Sequence, residues 1–121
     1  MKKLYKTITS VVLATMCTFQ LSAQMTGAYT INQTIAASSS NFISFTAFSA
    51  SLASSGISGP VTVNLVSGTG PYNEQVTFNQ YTGSSSVNTI TINGNGNTIT
   101  FAGTTGSPHT ILLGGADYMF F

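Results

Sequence analysis

The chain has 121 residues, enough for one small domain, and only 4% of them are charged. Its only cations are Lys2, Lys3 and Lys6, all close to the N-terminus. The remainder of the sequence has no basic side chain that could neutralise phosphates. This composition excludes nucleic-acid binding and electrostatic attraction to an anionic membrane surface.

The N-terminal residues have the pattern of a secretory signal peptide. The three lysines precede an apolar run over residues 8–19, and a small residue, Ala23, follows shortly afterwards. We predict that residues 1–23 form a signal peptide, with cleavage between Ala23 and Gln24. The alternative is a retained anchor, but the apolar run is short for spanning a bilayer. After Sec-dependent export, we expect a secreted or outer-cell-surface protein without stable membrane insertion.

The single cysteine, Cys17, lies within this apolar run. The residue before it is Met16, whereas a lipoprotein signal would have a small residue there. We therefore expect Cys17 to be removed with the signal peptide. The mature chain would then contain no disulfide and would depend on burial and hydrogen bonds for its stability.

Residues 24–58 are predicted to contain a strand and a helix. The strand covers residues 27–31, and a polar loop follows it. Residues 41–56 then have apolar side chains at helical spacing: Phe42, Phe45, Phe48 and Leu52. Ser40 or Asn41 could cap the start of this helix, and Gly56 could end it. The pattern predicts a buried amphipathic helix, with a lipid- or partner-binding helix as the alternative.

From residue 59 onwards, the period of the apolar residues changes from helical spacing to two, which is typical of strands. An apolar-Thr-apolar triplet occurs four times, at residues 61–63, 76–78, 90–92 and 99–101. Each triplet would place two apolar side chains on one face and a hydroxyl on the other. Two further strands are predicted at residues 110–113 and 118–121.

Two all-β architectures fit these short strands. In a solenoid, inward residues of successive coils stack into one core, and the repeated triplets fit this arrangement. In a small antiparallel β-sandwich, the Asn-Gly sequence at residues 93–96 would form a hairpin between the third and fourth strands. No helix is predicted after Gly56, so repeated βαβ units are excluded.

Residues 58–78 (SGPVTVNLVSGTGPYNEQVTF) and 97–101 (NTITF) carry a resemblance to a known group. The stretch resembles the N-terminal region of exported surface proteins of Bacteroidota-type bacteria with a pectin-lyase-like fold. It is also similar to the start of the pectinesterase fold, through the Tyr-x-Glu-x-Val-x-apolar segment at residues 72–78.

This resemblance implies a right-handed parallel β-helix whose first coils lie in residues 59–121, with the helix of residues 41–55 plugging its N-terminal end. It also implies that the parent protein often ends in a type IX secretion sorting domain. In the pectinesterase family, the catalytic residues lie in later coils. No position here matches them, so the resemblance assigns no catalytic residue to this chain.

The residues themselves also provide little for catalysis. Glu74 and Asp117 could form the carboxylate pair of a glycoside hydrolase, but neither lies in a further motif, and we expect both to have structural roles. His109 has no cysteine partner and is expected at the surface. We predict no catalytic, cofactor-binding or metal-binding residue in this chain. No cofactor is therefore expected.

Three aromatic residues are candidates for contacts with carbohydrate. Tyr72, Tyr81 and Tyr118 lie among Asn, Thr and Gly residues, and aromatic rings beside such polar groups can stack on sugars. The competing interpretation places these rings in turns and at the edge of the core.

Together, these features predict an exported, non-enzymatic cell-surface or adhesin-type protein that binds carbohydrate or other surface components. The alternative is the N-terminal part of a polysaccharide-active enzyme with catalytic coils beyond residue 121. We expect the chain to be truncated, because it stops in an apolar strand at Phe121. We also expect self-association through the open C-terminal end.

Overall fold

The computed structural model describes residues 22–121. The predicted signal peptide therefore lies almost entirely outside the described residues. The described part is all-β with one short helix. Its elements in chain order are β1 (Met25–Ile31), β2 (Asn41–Phe42), α1 (Phe45–Ser55), β3 (Ile57–Leu65), β4 (Tyr72–Asn73), β5 (Val76–Asn79), β6 (Ile90–Asn93), β7 (Ile99–Thr100), β8 (Ile111–Gly114) and β9 (Met119–Phe120).

The helix begins later than the sequence predicts. Its N-cap is Ser44, whose backbone is extended and whose hydroxyl accepts a hydrogen bond from the Ala47 amide at 3.0 Å. Asn41, predicted as a cap, instead lies buried in β2, where its side-chain oxygen accepts a hydrogen bond from the Thr30 hydroxyl at 2.7 Å. Phe42 pairs with Ile31 and is therefore a strand residue. The competing strand pairing moves the helix start to Phe45.

The end of the helix is as predicted. Gly56 is the C-cap, with a φ of +65°, and its amide donates to the Leu52 carbonyl at 2.9 Å. A positive φ is readily adopted by glycine and rarely by other residues. The three buried residues of the helix, Phe45, Phe48 and Leu52, confirm three of the four apolar positions predicted for its inner face.

The predicted alternation of the strands is confirmed at three triplets. In β3, Val61, Val63 and Leu65 are buried, while the residues between them are half-buried. The same pattern holds for β5 and β6, where the threonine lies between two buried apolar residues. In the fourth triplet, at residues 99–101, the apolar side chains are only partly buried.

The described strands pair in parallel ladders and form three stacks. One stack is a five-stranded sheet in the order β2-β1-β3-β6-β9, and the other two are the pairs β4-β7 and β5-β8. Val61 pairs with Ile90, and Ile90 pairs with Met119, which is a step of 29 residues in both cases (61 to 90 and 90 to 119). Each stack therefore receives strands from successive, similarly long stretches of chain.

The predicted hairpin at residues 93–96 is not formed. Asn95 and Gly96 have positive φ values of 47° and 74°, and the Asn97 amide donates to the Gly94 carbonyl, so the segment is a tight turn. However, β6 before the turn pairs with β3, and β7 after it pairs with β4. Because the turn leads from one stack to another, the antiparallel pairing required by the sandwich alternative is absent from the described strands.

The core lies between the three stacks and under α1. Its fully buried side chains come from every stack and include Ile31, Val63, Tyr72, Phe78 and Ile90. Phe45 of α1 contacts Tyr72 edge-on, with 5.4 Å between ring centroids. Phe48 contacts Phe78 in the same manner at 6.4 Å. Aromatic side chains of α1 thus join the helix to β4 and β5.

Candidate functional site

Glu74 lies directly after β4 and binds the N-terminus of α1. One carboxylate oxygen accepts a hydrogen bond from the Phe45 amide at 2.8 Å. The other accepts from the Thr46 amide at 2.8 Å and from the Thr46 hydroxyl at 2.6 Å. The first amides of a helix have no partner within the helix, and its N-terminus carries a partial positive charge. Glu74 satisfies both requirements from a distant part of the chain.

This arrangement gives Glu74 a structural role. Both of its carboxylate oxygens are occupied, and α1 has no acidic residue in its own first turn that could replace it. We expected Glu74 to bind turn amides, and the structure shows helix amides as its partners. Asp117, the other carboxylate, is exposed in the segment between β8 and β9. The contacts of Glu74 do not favour the catalytic pair considered from the sequence.

Replacing Glu74 with glutamine should destabilise the protein by about 1–3 kcal/mol, because two charge-assisted hydrogen bonds and a favourable interaction with the helix dipole are weakened. Glutamine is nearly isosteric, so the change tests charge rather than packing. Urea denaturation of the purified variant would measure the effect. The matched control is Asp117→Asn, which removes an exposed carboxylate and should change stability by less than about 0.5 kcal/mol. Equal effects in the two variants would contradict the assigned role of Glu74.

The structure separates the three tyrosines considered for carbohydrate contact. Tyr72 is 1% exposed, and its hydroxyl bonds to the Thr69 hydroxyl at 2.6 Å. Tyr81 is 4% exposed, with its hydroxyl 2.9 Å from that of Ser49 on α1. Neither ring presents a face to solvent, so the prediction of sugar stacking is corrected for these two residues. Tyr118 is exposed and remains a candidate.

His109 is half-buried, and its backbone carbonyl takes part in a small polar network. The Gln75 side-chain amide donates to this carbonyl at 2.8 Å and to the Ser107 hydroxyl at 2.7 Å. The Ser107 hydroxyl in turn lies 3.0 Å from the Gln75 side-chain oxygen. This network ties the loop before β8 to the start of β5. The sequence analysis did not single out Gln75 or Ser107, since only the fold places them side by side.

An apolar cavity of about 190 Å³ lies beside the core. Its lining includes Leu65, Ile92, Ile99, Ile111 and Phe121, together with the polar residue Asn97. None of the described residues that line it is ionisable. Among residues 22–121, no group of three or more His, Cys, Asp or Glu side chains is placed to hold a metal ion. The cavity therefore offers apolar contact but no acid, base or charged ligand.

Exposed apolar side chains are concentrated on the last two strands. Leu112 and Leu113 of β8 and Phe120 of β9, with the adjacent Phe121, are all between 42% and 64% exposed. Exposed apolar surface and an unpaired strand edge both favour association. Self-association at this end remains a prediction.

The outer face of the five-stranded sheet has a different composition. Thr62, Asn64, Thr91 and Asn93 point away from the buried valines and isoleucines of β3 and β6. The Asn93 side-chain amide donates to the Asn64 side-chain oxygen at 2.8 Å, so the two form a ladder across the strands. This face is uncharged, hydroxyl- and amide-rich, and regularly spaced.

Comparison of the chain with protein-family models, with curated proteins and with solved structures found no match in any of the three. In residues 22–121, no helix has the length and apolarity needed to cross a membrane. The class defined by the fold is thus an all-β protein with small parallel sheets and one short helix.

Proposed function

We propose that this chain forms the opening coils of a right-handed parallel β-helix and serves as an exported, non-enzymatic cell-surface protein of adhesin type. The observation that carries the proposal is the order of the stacks. The chain passes through β3, β4 and β5, and then through β6, β7 and β8, each in parallel register with its counterpart. A β-helix is built by such repetition. Right-handed crossovers are the general rule for parallel strands.

The position of α1 supports this proposal. The helix packs on β5 through Phe48 and Phe78 and is held at its N-terminus by Glu74. A solenoid needs a cover over its terminal coil, because the core residues there would otherwise be exposed. The helix supplies that cover for the coil that begins with β3.

The non-enzymatic assignment rests on the ionisable groups. The described residues contain no lysine or arginine, and one of their two carboxylates is bound to the helix N-terminus. Acid–base and nucleophilic catalysis both require a positioned titratable group with a partner. A structural or binding role fits this composition better than a catalytic one.

Expressed with its N-terminal 23 residues in a Gram-negative host, the protein should leave the cytoplasm and begin at Gln24, as N-terminal sequencing would show. The exported protein should release no product from pectin or other plant and microbial glycans. Deleting residues 1–23 provides the control and should leave the protein in the cytoplasm.

Two results would overturn the proposal. One is an exported product that still begins at Met1. The other is glycan turnover that disappears in Glu74→Gln or Asp117→Asn, which would favour the polysaccharide-active enzyme instead.

A further inference from the structure

The register of the five-stranded sheet places its outward side chains in columns. Thr62 pairs with Thr91, and Thr91 pairs with Phe120. Asn64 pairs with Asn93 in the neighbouring column, which continues to Thr30 of β1. Residues paired across parallel strands lie on the same face of the sheet. These columns therefore share one surface, here called the Thr/Asn face: Thr30, Thr62, Asn64, Thr91, Asn93 and Phe120.

The Thr/Asn face presents hydrogen-bonding groups on a regular grid. Neighbouring strands lie about 4.8 Å apart, and alternate residues along a strand about 6.6 Å apart. Within the described residues, the hydroxyls of Thr62 and Thr91 have no hydrogen-bond partner, and both residues are partly exposed. The grid can therefore donate to and accept from a ligand that repeats its own hydroxyl groups.

An exposed aromatic ring ends one of these columns. Phe120 is 55% exposed and continues the column of Thr62 and Thr91. A sugar ring has an apolar face formed by its C–H groups and a rim of hydroxyls. An aromatic ring beside hydrogen-bonding groups matches both parts of such a ligand, since one surface is apolar and the other polar.

The charge of the molecule restricts the class of ligand. The described residues contain no lysine or arginine, and neither Glu74 nor Asp117 belongs to the Thr/Asn face. An anionic polysaccharide would meet no cation there and would lose hydration without compensation. A neutral polymer would bring no unpaired charge to the surface.

We propose that the Thr/Asn face binds a neutral polysaccharide, with the sugar rings stacked on Phe120 and their hydroxyls bonded to the threonine and asparagine columns. This inference rests on the proposed role as an exported surface protein and assigns it a binding site. It replaces the buried Tyr72 and Tyr81 as the carbohydrate contacts.

The test measures retention of the purified exported protein on insoluble cellulose, chitin and β-1,3-glucan, with polygalacturonate as an anionic comparison. We expect retention on at least one neutral polymer and none on polygalacturonate. Phe120→Ala and Thr91→Val should each weaken binding by about tenfold, which corresponds to 1.4 kcal/mol.

The controls are matched in chemistry and differ in position. Leu112→Ala removes an exposed apolar side chain from β8, and Thr77→Val removes a strand hydroxyl from β5, both in the β5-β8 stack. Neither should change retention. Thermal melting of all four variants checks that they are folded, and a loss of binding counts only at an unchanged melting temperature.

Three outcomes would overturn the inference: retention on no neutral polymer, preferential retention on polygalacturonate, or equal losses in the Thr91 and Thr77 variants. Each of these can occur in a protein that is exported and catalytically inert. Failure of the binding site is thus distinguishable from failure of the proposed function, which would appear as lack of export or as glycan turnover.

Discussion

Replacing Gly83 with alanine should destabilise the protein by more than about 4 kcal/mol, an unusually large effect for the addition of one methyl group. Gly83 has a φ of +90°, and a Cβ atom there would lie 1.9 Å from the Ile57 carbonyl oxygen. That oxygen belongs to the backbone, and the Ile57 amide is bonded to the Thr82 carbonyl at 2.8 Å. Relief of the clash would therefore require the loop after β5 to move away from the start of β3.

Gly115 provides the matched control for this substitution. Its φ is +88°, but a Cβ atom there would meet nothing within 4 Å. Gly115→Ala should therefore incur only the backbone strain, about 1–2 kcal/mol. Urea denaturation of both variants separates strain from steric overlap. Similar losses of stability in the two variants would mean that the close approach of Gly83 to Ile57 is not maintained in solution.

Phe78→Ala should destabilise the protein by about 3–5 kcal/mol, since the change removes a fully buried ring and leaves a cavity. Phe78 is 0% exposed, and its ring lies between Phe48 of α1 and Phe121, with centroid distances of 6.4 Å and 6.1 Å. Its loss would weaken both the attachment of the helix and the packing of the last residues. A domain of this size has a total stability of about 5–15 kcal/mol, so much of it would be lost.

The melting temperature, followed by circular dichroism, measures this effect. A domain of about this length loses roughly 4–8 °C for each kcal/mol. Phe120→Ala is the control, because it removes the same side chain from a position that is 55% exposed. It should lower the melting temperature only slightly. A similar decrease in both variants would contradict the placement of Phe78 in the core.

The separation between local and tertiary information is clear in the strands. The alternation of Val61, Thr62 and Val63 is a property of adjacent residues, and it correctly predicted which side chains are buried. The parallel or antiparallel pairing of a strand depends on residues far along the chain. For this reason, the Asn-Gly turn at residues 93–96 suggested a hairpin, although its flanking strands pair elsewhere.

The candidate sites show the same division. Composition alone identified Glu74 as one of two carboxylates, but its partners on α1 are 28 and 29 residues away along the chain. Likewise, Tyr72 and Tyr81 have neighbours in sequence typical of surface loops, whereas the folded chain encloses both rings. Phe120 attracted no attention as a ligand contact, because only its register with Thr91 places it on the Thr/Asn face.

The sequence by itself determined the all-β character, the single helix of residues 22–121 with its glycine C-cap, and the inward faces of the main strands. These features follow from the period of apolar residues and from the conformational preferences of single residues. Tertiary structure decided the parallel pairing, the start of α1 at Phe45 and the partners of Glu74. Each of these depends on contacts between distant residues, whose free energy exceeds the local preferences with which they compete.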